Sequence, residues 1–403
     1  MRGFFSKSST QLKSGEMKGA SCAACGLYKH ALSPKMEPYG HFAKQIMVIG
    51  EAPSEDEDRK GVPWQGKAGR MLKRKYRELG IDLVNDCISL NAVACHPTSK
   101  APTAQEIACC RSKVVQAIHK YKPKLIILHG SVPTESLIGH KWHHNFDGIM
   151  KWRGWTIPDR EYGAWVCPTF HPSFIERQEG DSEADVIWTQ DLERALSKLG
   201  EPFPKFKNEE ESIVITEDIE MVLGKMNTFG MMAFDIETTG LKPYAQGHRI
   251  VSISFCNNPD HAYAVPFPTK RKHLKMLRDL MENPKVGKVA ANMKFEDTWL
   301  KVLHDIDVRP WLFDTMQAAH VLDNRPGITG LKFQAYVRQG IIGYDDDVAP
   351  YLKGEHPNAI NRIMELVRTP EGLKKLLLYN GMDSLIEYRL ARQQMKELRY
   401  MYA

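Results

Sequence analysis

The chain has no run of about 18 apolar residues, so no segment reads as a membrane-spanning helix. Its opening stretch, MRGFFSKSSTQLKSG, has two consecutive aromatics and no apolar core, which is not the pattern of an export signal. Internal repeats and low-complexity tracts are missing too, which excludes solenoid and tail-like organisation. Without an export signal the expected compartment is the cytoplasm, and the eight cysteines then read as free thiols or metal ligands, not a disulfide framework. Charge of one sign is scarce: the net value is +6 over 403 residues. That small excess is uneven, with 28 Lys and Arg against 22 Asp and Glu in residues 1–200, and 27 of each in 201–403. A basic first half favours a polyanionic partner such as nucleic acid.

What is present is an ordinary globular composition, 42% hydrophobic and 26% charged, in a chain long enough for more than one core. The clearest break is KLGEPFPKFKNEEES, residues 198–212, where prolines, a basic patch and glutamates separate patterned segments. Before it, short apolar runs (QIMVIG, CISLNAVA, PKLIILHG, AWVCPT) alternate with helix-like stretches such as AGRMLKRKYRELG and AQEIACCRSKVVQAIHKY. That alternation predicts βαβ units and a mainly parallel sheet. After it, MMAFDIET, IVSISFC and HAYAVPF read as three adjacent strands followed by a helical remainder, an α/β domain on a mixed sheet. The expected domains are an N-terminal extension 1–19, a first domain 20–198, a linker 199–211 and a second domain 212–403.

Cys22 and Cys25, in SCAACGLYKH, are three apart and fit one turn. Cys95 and Cys110 are plausible partners, with Cys87 and Cys109 as competitors, while Cys167 and Cys256 read as small core hydrophobes. Spacing alone leaves zinc, redox and iron–sulfur chemistry open. Gly50-Glu51-Ala52-Pro53, Asn91, Gly130 and His171 each follow a strand-like run. In a parallel sheet such positions lie at the carboxyl ends of strands, where open α/β sheets bind ligands.

CAACGLYKH, IMVIGEAPSEDEDRKGVPWQGKAGRML, ISLNAVACHP, APTAQEIACCR, LIILHGSV and PTFHPSFIER, taken in order, resemble a family-4 uracil-DNA glycosylase over residues 20–198. The resemblance implies a four-cysteine [4Fe–4S] cluster on Cys22, Cys25, Cys95 and Cys110, clamping loops beside DNA. It also implies a pocket for a base flipped from the stack. There Ala52 would line the pocket and Asn91 would match the hydrogen-bonding edge of uracil and mispair with cytosine. Trp64 would stack on the base. His171 would donate to O2 as charge develops, and Glu51 would position water or stabilise the cationic sugar. Three positions depart from the family: Ser54 for Gly, Trp64 for Phe and Ala94 for a basic residue. Ser54 is expected to crowd the pocket. The run Lys67, Arg70, Lys73, Arg74, Lys75, Arg77 is a candidate phosphate grip.

FDIETTG carries Asp235 and Glu237 two apart on a predicted strand, both on one face, as hard divalent ions require. YNGMDSLIEYRL places Tyr379 and Asp383 one helical turn apart. Between them ANMKFEDTWL offers Asn292, Lys294, Glu296 and Asp297. With FDTMQAAHVL, which holds Asp314, and GLKFQAYV, these segments resemble the DEDD-class 3′→5′ proofreading exonuclease of family-A DNA polymerases over about residues 212–400. The resemblance implies an RNase H-like fold and two Mg²⁺ or Mn²⁺ ions about 4 Å apart. It makes Asp235, Glu237, Asp383 and Glu296 ligands, with Asp297 the alternative to Glu296. Tyr379 would orient the attacking water, Asn292 and Lys294 would bind substrate, and Asp314 would be structural. The expected whole is an α/β, two-domain, phage-like DNA repair or replication enzyme that excises uracil and trims 3′ ends. The alternative is a nuclease, working in trans with a separate DNA polymerase, whose first half only binds DNA or uracil.

Overall fold

A computed structural model describes residues 21–178, 182–228 and 230–399. The expected extension 1–19 lies outside them. The described residues divide into two compact units, one built on 21–206 with 336–342, the other on 207–335 with 343–399. Among the described residues no helix is long and apolar enough to cross a membrane.

The first unit is organised by a five-stranded sheet of β1 (Ile46–Gly50), β2 (Cys87–Asn91), β3 (Leu125–His129), β4 (Ile157–Asp159) and β5 (Ala164–Thr169). The spatial order is β2-β1-β3-β5-β4. The four strands expected from their apolar runs pair in parallel, and the short β4 adds an antiparallel edge beside β5. Every residue of β1, β2, β3 and β5 is buried. That is why these strands read as continuous apolar runs: helices cover both faces of a parallel sheet. Leu72 and Tyr76 of the helix Lys67–Glu78 and Trp188 and Leu192 of the helix Ser182–Ser197 pack in the same core as Ile46, Val48 and Ile127. The helix Ala104–Tyr121 starts at a reciprocal capping box between Thr103 and Glu106, which satisfies two of its orphan amides.

The second unit contains a mixed six-stranded sheet in the order β11-β10-β7-β8-β9-β6. Its strands are β6 (Ile213–Ile215), β7 (Gly230–Thr238), β8 (Ile250–Cys256), β9 (Ala262–Pro266), β10 (Val286–Ala290) and β11 (Trp311–Asp314). The three expected strands form its antiparallel centre, β7 with β8 and β8 with β9. The parallel additions β10, β11 and β6 were not expected. The 28-residue helix Pro370–Glu397 lies along this sheet, Thr369 capping its start by accepting from the Gly372 amide.

Candidate functional site

In the first unit, Cys22–Cys25 forms a single helical turn ended by Gly26 at φ +77, a left-handed position that glycine adopts at no steric cost. Tyr28, Cys22, Cys25, Cys95, Cys109 and Cys110 line one small pocket, partly open to solvent. Cys95 comes from the loop after β2, and its Sγ accepts from the Lys35 amide at 3.2 Å. Cys110 follows Ile107 by three residues on the buried face of its helix, and both pack with Leu27, Val93 and Cys95. All cysteines are free. Burial pushes the Cys110 thiol up to about 11, against an opposing Ala94 amide, and raises Cys95 as well. Such thiols ionise readily only beside a cation, which suits soft-metal ligation and not redox exchange. Of the two competitors, Cys87 is buried in the sheet core. Cys109 lines the same cavity but is less buried than Cys110.

The strand ends of that unit converge as expected. Gly50 ends β1 and Asn91 ends β2, in direct register. A Cβ on Gly50 would sit 2.5 Å from Asn91 Oδ1 and 2.9 Å from the Trp64 ring, so only glycine lets these two side chains meet. Asn91 Nδ2 and Trp64 Nε1 are buried without a hydrogen-bond partner. Trp64 is 4% exposed and holds φ +61. Its ring lies 5.7 Å from that of His171. The Ser173 amide donates to His171 Nδ1 at 3.2 Å, which leaves the ring proton on Nε2. Burial, and then the Arg177 charge, push His171 down to about 4, so the ring is neutral at pH 7. Glu51 follows β1; burial raises its carboxyl while Arg177 lowers it. Ala52 packs against the thiol cluster.

Ser54 is exposed and caps the helix Glu55–Lys60 in a reciprocal box with Glu57. Three members of the basic run have acidic neighbours. Lys67 meets Glu176, Lys75 meets Asp185 at 3.0 Å, and Arg74 lies 3.8 Å from Glu78.

In the second unit Asp235 and Glu237 project from β7 toward Asp383 on the helix Pro370–Glu397. Ligand oxygens of all three lie within 4.8 Å of one another. Asn380 Nδ2 donates to Asp235 Oδ2 at 2.6 Å. Burial, then the Asp383 charge, raise Asp235 well above the usual carboxylate range; burial, then Asp235, do the same to Glu237. Glu296 is 3% exposed, and its carboxyl is raised by burial and then by Asp235. Asp297 is the next residue on the helix Lys294–His304 and is less buried. Asn292 adopts φ +66, and Lys294 is exposed. Asp314 accepts from the amides of Asn292, Met293, Met316 and Gln317, a structural use of both its oxygens. Tyr379 is buried, its ring stacked 5.9 Å from that of Tyr344.

Four members of this site were not among the candidates. Glu387, 1% exposed, lies one turn beyond Asp383, and the row 379, 383, 387 was readable from helical spacing. Asn380 sits between motif residues already singled out. Lys332, inside the quoted segment GLKFQAYV, and Tyr344 both reach Asp383. The surplus of carboxyls over Lys332 leaves Oε2 of both Glu296 and Glu387 buried without a partner. Buried carboxylates in such number call for cations, and hard oxygen ligands select divalent ones.

Comparison with known proteins finds matches to both halves of the chain. Residues 37–193 match the uracil DNA glycosylase superfamily model, and residues 211–352 match a 3′–5′ exonuclease model. A type-4 uracil-DNA glycosylase of Thermotoga maritima is 32% identical over 44% of this chain and 88% of its own length. A DNA polymerase of Bacillus phage SP01 is 26% identical over 81% of this chain, an extent that takes in both units, and the match spans 37% of that polymerase. Among solved structures, Escherichia coli RNase D is 14% identical over 46% of this chain and 44% of its own, with a TM-score of 0.34. The chain thus belongs to the uracil-DNA glycosylase superfamily, with type-4 relatives, and joins to that domain a 3′–5′ exonuclease domain like that of family-A DNA polymerases.

Proposed function

We propose that the chain excises uracil from DNA with its first unit and degrades DNA from 3′ ends with its second. The observation that carries the reading is the convergence of complementary, unfinished groups in each unit. Asn91 Nδ2 lacks an acceptor in one, and Asp235, Glu237 and Asp383 lack a counter-ion equal to their charge in the other.

For excision, the Asn91 amide accepts from uracil N3–H and donates to O4, which satisfies its orphaned nitrogen. Cytosine offers the reverse pattern and leaves the amide mispaired. The neutral His171 holds a proton on Nε2 for O2, where negative charge grows as the glycosidic bond breaks. Glu51 positions water or faces the cationic sugar, and Arg177 keeps part of its charge. Cys22, Cys25, Cys95 and Cys110 hold a [4Fe–4S] cluster that ties three chain segments together. Reduced thiols fit the cytoplasm as the working compartment.

For end trimming, Asp235, Glu237, Glu296 and Asp383 hold two Mg²⁺ or Mn²⁺ ions. When bound, these supply Lewis-acid stabilisation of the scissile phosphate. The Tyr379 hydroxyl, one turn from Asp383, orients the attacking water, and Asn292 and Lys294 bind the strand. A separate DNA polymerase is the partner such a nuclease would serve.

The burial of Trp64 favours a second reading for the first unit. A ring 4% exposed offers a base little face to stack on until something moves, as in a reader that binds without cutting. One experiment separates the two. A 5′-labelled single strand with one internal uracil is incubated with anaerobically purified protein in EDTA or Mg²⁺, then treated with alkali. The expected result is an alkali-dependent break at uracil in EDTA and a ladder in Mg²⁺. An intact strand in EDTA beside that ladder leaves a nuclease with a binding domain, and no ladder in Mg²⁺ removes the exonuclease.

A further inference from the structure

Lys332 stands at the start of the helix Leu331–Gln339, and its Nζ lies 2.5 Å from Oδ1 and 2.8 Å from Oδ2 of Asp383. Tyr344 donates its hydroxyl to the same Oδ1 at 2.6 Å. Three of the roughly four lone-pair positions of that carboxylate are thus taken by the protein itself. The ammonium is also caged by aromatic faces, 4.5 Å from the Tyr344 ring centroid and 4.4 Å from that of Tyr379. The seat is therefore built: a charged pair on one side, two stacked rings on the other, and a side chain 22% exposed.

A hard divalent ion binds a carboxylate oxygen at about 2.0–2.1 Å. With an ammonium at 2.5 Å from the same oxygen, two cations would stand within a few ångströms in a partly dry site, where repulsion is weakly screened. We propose that the Lys332 ammonium and a divalent ion are alternative occupants of Asp383, so that ion entry displaces the lysine. This rests on the exonuclease reading and deepens it. Lys332 acts as a positioning residue. It keeps Asp383 aimed at Asp235 and Glu237 while no ion is bound, and it raises the ion concentration at which the site fills. The Tyr344 and Tyr379 faces hold the released ammonium close by cation–π attraction, so the exchange reverses when the ion leaves.

Binding of Mn²⁺ alone tests this, with free Mn²⁺ read by its paramagnetic resonance in the full chain without DNA. The variants are D235N, K332M and K332R. Mn²⁺ binding that D235N abolishes marks the site. K332M, which keeps an unbranched stem against the rings, is expected to tighten that binding by about tenfold. K332R keeps the charge and is expected to bind as weakly as the unaltered chain. If K332M does not melt cooperatively, K332Q replaces it with the same expectation. Unchanged or weaker binding in the charge-free variant overturns the exchange and leaves Lys332 a scaffold for Asp383. Absence of any Mn²⁺ binding that depends on Asp235 removes the exonuclease reading itself.

Discussion

The thiol cavity and the acidic cluster solve the same problem in opposite ways. The cavity collects soft ligands from three separated segments, around Cys22, Cys95 and Cys110, and burial raises the Cys95 and Cys110 thiols. The acidic cluster draws its carboxyls from regular elements, β7, the helix Lys294–His304 and the helix Pro370–Glu397, and crowds charge before any ion arrives. Burial and mutual repulsion raise the Asp235 and Glu237 carboxyls, and Lys332 supplies a counter-charge from within. A site of thiols can thus be gathered from a helical turn, a loop and a helix, whereas this site of buried carboxylates rests on a strand and long helices with an internal cation.

The largest expected effect separates the two chemistries. D235N should lower 3′-end degradation by about a thousandfold or more, because each ion supplies several kcal/mol of stabilisation. It should leave the alkali-sensitive break at uracil in EDTA untouched, and loss of both would break the comparison. H171L should cut uracil excision by about a hundredfold, the usual cost of one donor to a developing oxyanion, with the Mg²⁺ ladder intact. On the cavity side, C110S should lose iron to a chelator at least tenfold faster than the unaltered chain, more than loss of a supporting partner costs. C109S should retain it, and the reverse outcome would exchange their roles.

A smaller effect should come from G50A. Its methyl meets the Asn91 amide oxygen and the Trp64 ring, so the strand ends must part, at about 1–3 kcal/mol in stability. Excision should fall about tenfold and end trimming not at all, on the same labelled strand.

The smallest effect is a matter of sign. His129, His140 and His171 are pushed by burial from 6.5 to about 3, 4 and 4 in the folded first unit. The unfolded chain binds more protons in that window, so their contribution is present above pH 6.5 and lost as pH falls toward 4. Asp235, Glu237, Glu296 and Glu387 are raised by burial, so their contribution is present at acid pH and lost as pH rises. Calorimetry in EDTA should therefore show transitions moving in opposite directions with pH. Mg²⁺ should lift one of them at alkaline pH, and parallel movement would refute the contrast.

Periodicity and composition made the frame legible. β1, β2, β3 and β5 announced themselves as apolar runs because a parallel sheet buries both faces, and β7, β8 and β9 did so likewise. The short edge strands β4, β6 and β11, and Val286–Ala290 with its glycine and lysine, gave too little pattern. Motif spacing placed Asp235 with Glu237, Tyr379 with Asp383, and Cys22 with Cys25, because two-residue spacing on a strand and three- or four-residue spacing on a helix give a shared face.

The sequence by itself thus determined the candidate residues of each motif and the local element that presents most of them. Tertiary structure decided the rest. It buried Glu296 within reach of the Asp235 charge and left Asp297 less buried. It gave Ser54 to a helix cap, and it brought Lys332 to Asp383 across 51 residues. No local rule reaches that far: an ion pair between distant segments forms only where packing has already brought both backbones together and removed the water between them.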